Sequence, residues 1–403
     1  MYLYEGSQEN ELQQYKISEK LWQGISAAFE RAAKYIHSKG GYKAEYLTDK
    51  EVKPLIDKTY EAFSEAVDYG LRDNEIPTAM RLYLQDNVFV FSGFKAHTEL
   101  RQASALLRDE SGQIKPFNRF LSDIQKIDKT YNKTYLQAEY NFAVASSQAA
   151  ARWQEIAEDG DDFLLQYRTA KDERVREQHR LLDGITLPPS DKFWDEFFPP
   201  NGWNCRCTAV QVNPRRYPES NSEEAIQRGR AATYQPNAKG QNKAQIFRFN
   251  SGKQKVVFPP KHPYLKAPEA KTDIDKLTNN HNLKEARAHI KSRIKGFQLN
   301  RPEFGGKTAT APNSSVGEMF SKGLNQNHIV DIIDNLSYYL DVKPTFETPN
   351  HDKQGKNANT VGFHNFSKPY GGNIPELENA TIEVLFKEYN DGNIFLYFVR
   401  IIK

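Results

Sequence analysis

The chain is poor in cysteine. Among 403 residues only Cys205 and Cys207 carry thiols, and they stand one residue apart. That spacing excludes a long-range disulfide framework and suits a reducing compartment or a metal site. Long apolar runs are also missing. No stretch nears the roughly 20 apolar residues that span a bilayer, and mean hydropathy is −0.75, so no membrane partner is expected. The opening residues 1–14 lack a basic stretch followed by an apolar core, so a secretory signal is not expected. No G-x-x-x-x-G-K-[ST] loop, H-E-x-x-H helix, G-x-S-x-G elbow or paired C-x-x-C occurs, which removes the commonest signatures of nucleotide, zinc-protease, serine-hydrolase and zinc-ribbon chemistry. No internal repeat or low-complexity run is visible.

What is present begins with length, which leaves room for two or three domains and at least one substantial core. The net charge of +3 says little by itself. Its distribution says more: from Ala231 to Arg301 there are fifteen Lys or Arg against four Asp or Glu. Such a segment suits a polyanion, DNA or RNA first, or else a solvated flexible linker. Residues 1–160 read as a helical docking region. Leu21, Ile25, Phe29, Ala32 and Ile36 recur at three- and four-residue steps between Lys16 and Lys39. Thr48 and Glu51 make a capping-box pattern ahead of a second stripe from Val52 to Val67. A third helix is predicted from Ile76 to Arg108. A fourth runs from Pro116, a first-turn proline, to Ala157, which is long for a globular domain.

The pattern changes near Asp162. A strand at Phe163–Tyr167, a short helix at Asp172–Leu182 and a returning strand at Cys207–Val212 make a small α+β module over 161–215. Residues 216–271 read as a basic, loop-rich linker with one hairpin, Phe247 to Phe258, turning at Asn250-Ser251-Gly252. Residues 272–403 read as an accessory α+β domain. Helices are predicted there at Thr272–Asn279, Leu283–Lys295 and Asn327–Leu340. A terminal hairpin pairs Ala380–Tyr389 with Ile394–Ile402 through Asn390–Asn393. The expected fold class is a mainly α N-terminal region followed by small α+β modules, in a multidomain chain.

The central module carries the most information. From Thr169 to Gly184 it spells T-x-x-D-x-R-V-R-x-x-H-x-x-L-D-G. A proline-rich spacer with Phe193, Trp194, Phe197 and Phe198 leads to P-P-N-G-W-N-C-R-C at 199–207. This pattern resembles the Mu F-like family of minor head, or head morphogenesis, proteins of tailed bacteriophages. The resemblance implies a virion component of a phage or prophage, near the portal. It implies portal, capsid and scaffold proteins as partners, DNA as a further one, and a role in capsid assembly or in DNA packaging and delivery. During assembly such a protein would occupy the cytoplasm of the bacterial host.

Physically, a helix over 172–182 would put Asp172, Arg176 and His179 on one face, from which His179 can approach Cys205 and Cys207. Imidazole and thiolate are preferred zinc donors, and Asp172 or Asp183 could complete a tetrahedron. Against this, C-x-C needs a tight bend for both thiolates to meet one ion, and Arg206 between them adds positive charge. Two alternatives stand beside the metal. His179 and Asp172 could bind the loop while the thiols pack in the core, or a Cys–His pair could act as a nucleophile. The four aromatics Trp194, Phe197, Phe198 and Trp203 are expected to bury against the sheet.

The C-terminal stretch from Lys307 resembles, without a specific motif, small polyvalent phage domains grouped with barnase-, EndoU-, colicin- and RelE-like nucleases. That resemblance makes a phage-delivered nuclease or toxin the alternative function, and a zinc-containing DNA-binding module a third. A metal-independent nuclease needs a base, an acid and a cation for the phosphate. His328, His364, Glu383, Lys387, Tyr397 and Arg400 have that chemistry. Glu383 and Lys387 share a strand face, as a catalytic groove or as an ordinary sheet face with a cross-strand ion pair. His351 and His364 fall in polar loops by pattern. Lys253, Lys255, Lys261 and Lys266 could grip phosphates without sequence preference. The chain as a whole is not expected to be an enzyme.

Overall fold

The computed structural model describes residues 16–74, 76–321, 323–349, 359–372 and 374–403. The opening stretch 1–14 and His351 lie outside the described residues. The chain divides into two compact units, one of residues 1–76 and 83–278, the other of residues 77–82 and 279–403. The architecture is the expected one, helices first and small sheets later. No helix among the described residues is long and apolar enough to cross a membrane.

The first unit opens with α1 (Glu19–Lys39), α2 (Lys53–Leu71), α3 (Thr78–Ala105, of which 83–105 belong here), α4 (Phe117–Lys129) and α5 (Leu136–Asp159). The apolar stripe of α1 is buried as its spacing requires, with Ile25, Ala32 and Ile36 fully enclosed. Ser18 caps its start by accepting from Leu21 N at 3.3 Å, and Gly40 ends it in the left-handed region. The capping box at Thr48–Glu51 does not form. The Thr48 hydroxyl donates to Glu45 O at 3.0 Å, and α2 starts only at Lys53, with proline in its first turn. The fourth predicted helix is helical throughout, but Thr130–Tyr135 between α4 and α5 is a π-helical turn.

That turn faces a buried charge cluster. Lys95 on α3 is 0% exposed; its Nζ donates to Tyr131 O at 2.8 Å and lies 3.0 Å from Glu139 and 3.5 Å from Glu99. Both carboxylates are enclosed too. Two acids share one ammonium in a low-dielectric core, so full ionisation leaves an uncompensated negative charge. Burial pushes Glu99 up to about 7, with Glu139 adding to the shift and Lys95 opposing it, and burial raises Glu139 as well.

The small module follows α5. It contains β1 (Leu164–Arg168), α6 (Glu177–Arg180), β2 (Thr186–Leu187), α7 (Phe193–Phe197) and β3 (Thr208–Val212). The sheet order is β2-β1-β3, antiparallel, with Leu164 opposite Val212 and Arg168 opposite Thr208. The two predicted strands therefore do pair. The predicted helix over 172–182 is only α6.

Residues 216–271 are not a tether. They form α8 (Ser222–Ala232) and the single turn α9 (Ser251–Gln254), and they bury Phe247, Phe249, Val257, Phe258 and Tyr264 within the first unit. Phe258 stacks on Phe91 at 3.7 Å, and Asn87 accepts from the backbone of Val257 and Phe258. The expected hairpin is absent because Asn250 caps α9, its side chain accepting from Gly252 N and Lys253 N, both at 3.0 Å. Polar composition hid the apolar anchors, which are spaced too irregularly for a helix or strand period.

The two helices predicted after 272 are one, α10 (Pro268–Arg293), and the division between the units falls inside it. The second unit continues with β4 (Gln298–Asn300), β5 (Thr308–Thr310), α11 (Asn313–Phe320), α12 (Gln326–Asp334), α13 (Leu336–Tyr339), β6 (Thr345–Glu347), β7 (Thr360–Pro369), β8 (Thr381–Tyr389) and β9 (Ile394–Ile402). Its sheet runs β4-β5-β9-β8-β7-β6. The β8–β9 hairpin matches the predicted pair of strands. Ile329, Val330 and Ile332 of α12 pack with Phe366, Ile382, Val384 and Phe386 of the sheet.

The charge cluster makes a pH prediction. A carboxyl raised in the folded state binds its proton more tightly there, so its contribution is complete below the ordinary value of 4.5 and is lost as pH rises through about 7. Chemical denaturation should show stability falling between pH 5 and pH 8, and Glu99→Gln should flatten that fall.

Candidate functional site

The site is built where β1, α6 and the approach to β3 meet. Trp194, Phe193 and Phe197 of α7 are fully buried with Leu165, Tyr167, Leu182, Leu187 and Trp153. The expected burial of Trp194, Phe197 and Phe198 is observed; Trp203 is only partly buried and meets Phe142 and Phe247 edge-on. This aromatic core needs close backbone approach. A Cβ on Gly252 would lie 2.2 Å from Trp153 Cβ, and one on Gly229 would lie 2.6 Å from the Phe197 ring. Both positions exclude any larger residue without displacement.

On this platform the local chain brings His179 to the sulfurs. His179 is 4% exposed, and its Nδ1 lies 3.6 Å from Cys205 Sγ and 3.7 Å from Cys207 Sγ. All three ligand atoms lie within 4.8 Å of one another, so the cluster could hold a metal ion. The bend that C-x-C requires is present. Asn204 takes a left-handed φ of 56°, and Cys205 N donates back to Gly202 O at 3.1 Å. Regular strand begins only at Thr208. Both thiols are free of disulfide. The hydrogen bond from the Cys207 thiol, helped by His179, holds Cys205 well below the ordinary thiol range, while Cys207 is pushed up by its neighbour and by burial.

Asp172 does not join the cluster. Residues 171–176 are not helical, with Lys171 in the left-handed region, so the shared helix face assumed for Asp172, Arg176 and His179 does not exist. Instead the Arg206 guanidinium donates to both Asp172 oxygens at 2.5 Å and holds that carboxyl down at about 2. This fork-to-fork pair occupies both Asp172 oxygens, and Asp172 is not grouped with the three ligand atoms. Asp183 is also engaged, accepting from Thr169 N at 2.8 Å and Thr169 Oγ1 at 3.0 Å. Arg176 donates to Trp203 O, tying α6 to the cysteine turn.

Sequence reasoning missed Tyr167. It is fully buried on β1, donates to Asn201 Oδ1 at 2.9 Å, and is pushed well above its ordinary range by burial and by the two nearby cysteines. An isolated tyrosine in a strand gives no signal of such a role; the period-two pattern predicts only that it faces inward.

The other expected sites separate. Lys253 pairs with Asp195 at 2.5 Å and lies over the Trp153 ring, and Lys255 lies over Tyr83. Lys261 and Lys266 are exposed. The six nuclease candidates do not meet in one groove. His364 is not in a loop but buried on β7, on the core side with Phe366; its Nε2 lies 2.9 Å from Glu388, which also pairs with Lys307. His328 lies on α12. Glu383, Lys387, Tyr397 and Arg400 occupy the opposite sheet face, where Arg400 donates to Glu383 at 2.7 Å.

A helical bundle closed by a small Cys/His α+β module is thus the class of protein defined. Residues 97–210, which include the whole knot, match the family model described as Phage Mu protein F like protein. Protein F of Escherichia phage Mu, which is named for capsid assembly, is 32% identical over 81 residues, covering 20% of this chain and 18% of that protein. An uncharacterized protein of Methanocaldococcus jannaschii is 48% identical over 46 residues, 11% of this chain and 7% of that one. The chain thus spans less than a fifth of the length of these relatives. No solved structure matches it.

Gly252→Ala should destabilise the first unit by about 1–3 kcal/mol through overpacking against Trp153. A thermal melt that leaves the midpoint unchanged would contradict the packing described.

Proposed function

We propose that the protein is a minor capsid, head-morphogenesis component of a tailed phage or prophage. In this reading it works near the portal in capsid assembly or in DNA packaging and delivery, with portal, capsid and scaffold proteins as partners. It resides in the virion after assembly in the host cytoplasm. One observation carries the reading: the Mu F-like stretch coincides with the buried knot of His179, Cys205 and Cys207. A relative named for capsid assembly is 32% identical over 81 residues. Mass spectrometry of purified particles and assembly intermediates is expected to find the protein with portal and capsid proteins. Its absence from both would contradict the role.

Zinc is the metal that best suits the knot. Zn–N of about 2.0–2.1 Å and Zn–S of about 2.3 Å give tetrahedral N···S edges of about 3.6 Å, and the observed separations are 3.6 and 3.7 Å. His179, Cys205 and Cys207 would hold the ion. A cavity of about 10 Å³ beside them, lined in part by Arg174, Asn204 and Arg206, could seat one solvent ligand. Bound there, zinc would cross-link α6 to the turn before β3. The buried location suits a structural rather than a nucleophilic use of the thiols. Elemental analysis should give one equivalent of zinc in the wild type and in Asp172→Asn, and far less in His179→Ala or Cys205→Ser. Equal zinc loss in Asp172→Asn would restore that carboxylate as a ligand.

A further inference from the structure

The imidazole of the knot has a second side. Nδ1 of His179 is turned to the sulfurs of Cys205 and Cys207. Nε2 has no hydrogen-bond partner among the described residues, yet it is not sealed from solvent. His179 lines two cavities. The small one adjoins both cysteines and so lies on the Nδ1 side. The other, of about 110 Å³, touches neither cysteine and takes the opposite side of the ring. It is well above the ~10–15 Å³ that one water needs. Arg176, Gln178 and Tyr234 give it polar groups, Trp203 and Phe247 give it aromatic walls, and no Asp or Glu lines it.

Arg176 differs from its neighbours. Four arginines lie between residues 174 and 206, and three of them meet a carboxylate: Arg174 lies 3.9 Å from Asp172, Arg180 lies 3.4 Å from Glu177, and Arg206 lies 2.5 Å from Asp172. Among the described residues no carboxylate pairs with Arg176, which donates to Trp203 O. Gly202 lets it lie close over the turn, where a Cβ would stand 3.2 Å from Arg176 Nη1. A guanidinium has five N–H donors in a fixed fork, so most of them stay open toward the cavity.

Two donors on one acid-free cavity select an anion. With Nδ1 accepting from a thiol, or bound to zinc, the ring proton sits on Nε2. A histidine so placed ordinarily gives that proton to a carboxylate, a carbonyl or water, and the arginine fork fits a carboxylate. One unpaired cation suits a monoanion better than a phosphate dianion. A nucleic-acid strand needs a basic groove that follows its backbone, not a closed recess beside one arginine. We propose that this cavity binds a carboxylate, held by Arg176 and His179 Nε2–H, with the attached carbon chain against Trp203, Tyr234 and Phe247. The carboxylate comes from an acidic side chain of another protein or from a free short acid. The inference goes beyond the head-assembly reading and holds with or without zinc.

The test is titration of the full chain, labelled with ¹⁵N-histidine, at neutral pH. The ring nitrogens of His179 are followed by nuclear magnetic resonance and assigned by their absence from His179→Asn. The probes are propionate, an end-blocked Gly-Glu-Gly peptide, the same peptide with Gln for Glu, inorganic phosphate and a single-stranded oligonucleotide. A saturable shift of Nε2 with propionate or the Glu peptide is expected, at least about tenfold tighter than with the Gln peptide. A tighter Glu peptide assigns the source to a protein segment, and an equal or tighter propionate assigns it to a free acid. Arg176→Gln should weaken binding by about tenfold. Gln178→Glu leaves the bond from Arg176 to Trp203 O in place and should weaken binding severalfold by placing a like charge in the cavity, with unchanged far-ultraviolet circular dichroism. The inference is overturned by no saturable shift with either carboxylate, by an equal response to the Gln peptide, by tighter binding of phosphate or oligonucleotide, or by wild-type affinity in Gln178→Glu.

Discussion

An imidazole enclosed between two sulfurs is the constraint from which the central module follows. Three donor groups from two segments of one small module come within a few ångströms of one another; His179 and Cys205 are buried, and Cys207 is partly buried. Such a cluster is costly unless its members satisfy one another or share an ion. Its neighbours keep it in place. Asn204 in the left-handed region supplies the bend. Arg206 is paired with Asp172, and Arg176 anchors the turn to α6. Under these contacts lies the aromatic core of α7 and β1, close enough to tolerate only glycine at 229 and 252.

Much of this was legible in the sequence, for identifiable reasons. Rare residues at fixed spacing marked the knot, and His179, Cys205 and Cys207 meet as expected. The three- and four-residue steps of its apolar positions located α1, and runs rich in Ile, Val, Phe and Tyr around the Asn390–Asn393 turn located the β8–β9 hairpin. Asp172 was misplaced because a helix face was assumed where the chain turns, and Arg206, which stands between the two cysteines, captured the carboxylate instead. The basic segment 216–271 was misread because scattered phenylalanines among Lys, Asn and Gln carry no period, yet each fills a hole in the first unit. His364 was misread as a loop residue because polar neighbours surround it, and which side of a strand a histidine takes is not known until the register is.

Both units also bury charge away from the knot, with different chemistry. Lys95 answers two carboxylates beside a π-helical turn whose displaced carbonyl it also binds. Lys387 is ringed by aromatics instead, with the Glu318 carboxylate also acting on it. The first arrangement is closed on itself and reads as structural. The second sets a buried cation among partly exposed rings.

The knot itself admits the most direct test of the whole account. Zinc K-edge absorption fine structure on the purified full-length protein reports the ligand set without reference to any variant. Two sulfur scatterers at about 2.3 Å with one imidazole nitrogen at about 2.0–2.1 Å and one light atom completing the shell is the predicted result. A shell of oxygen and nitrogen alone would contradict the account, as would a protein that retains no metal while its two thiols react freely with a soluble reagent in the folded state.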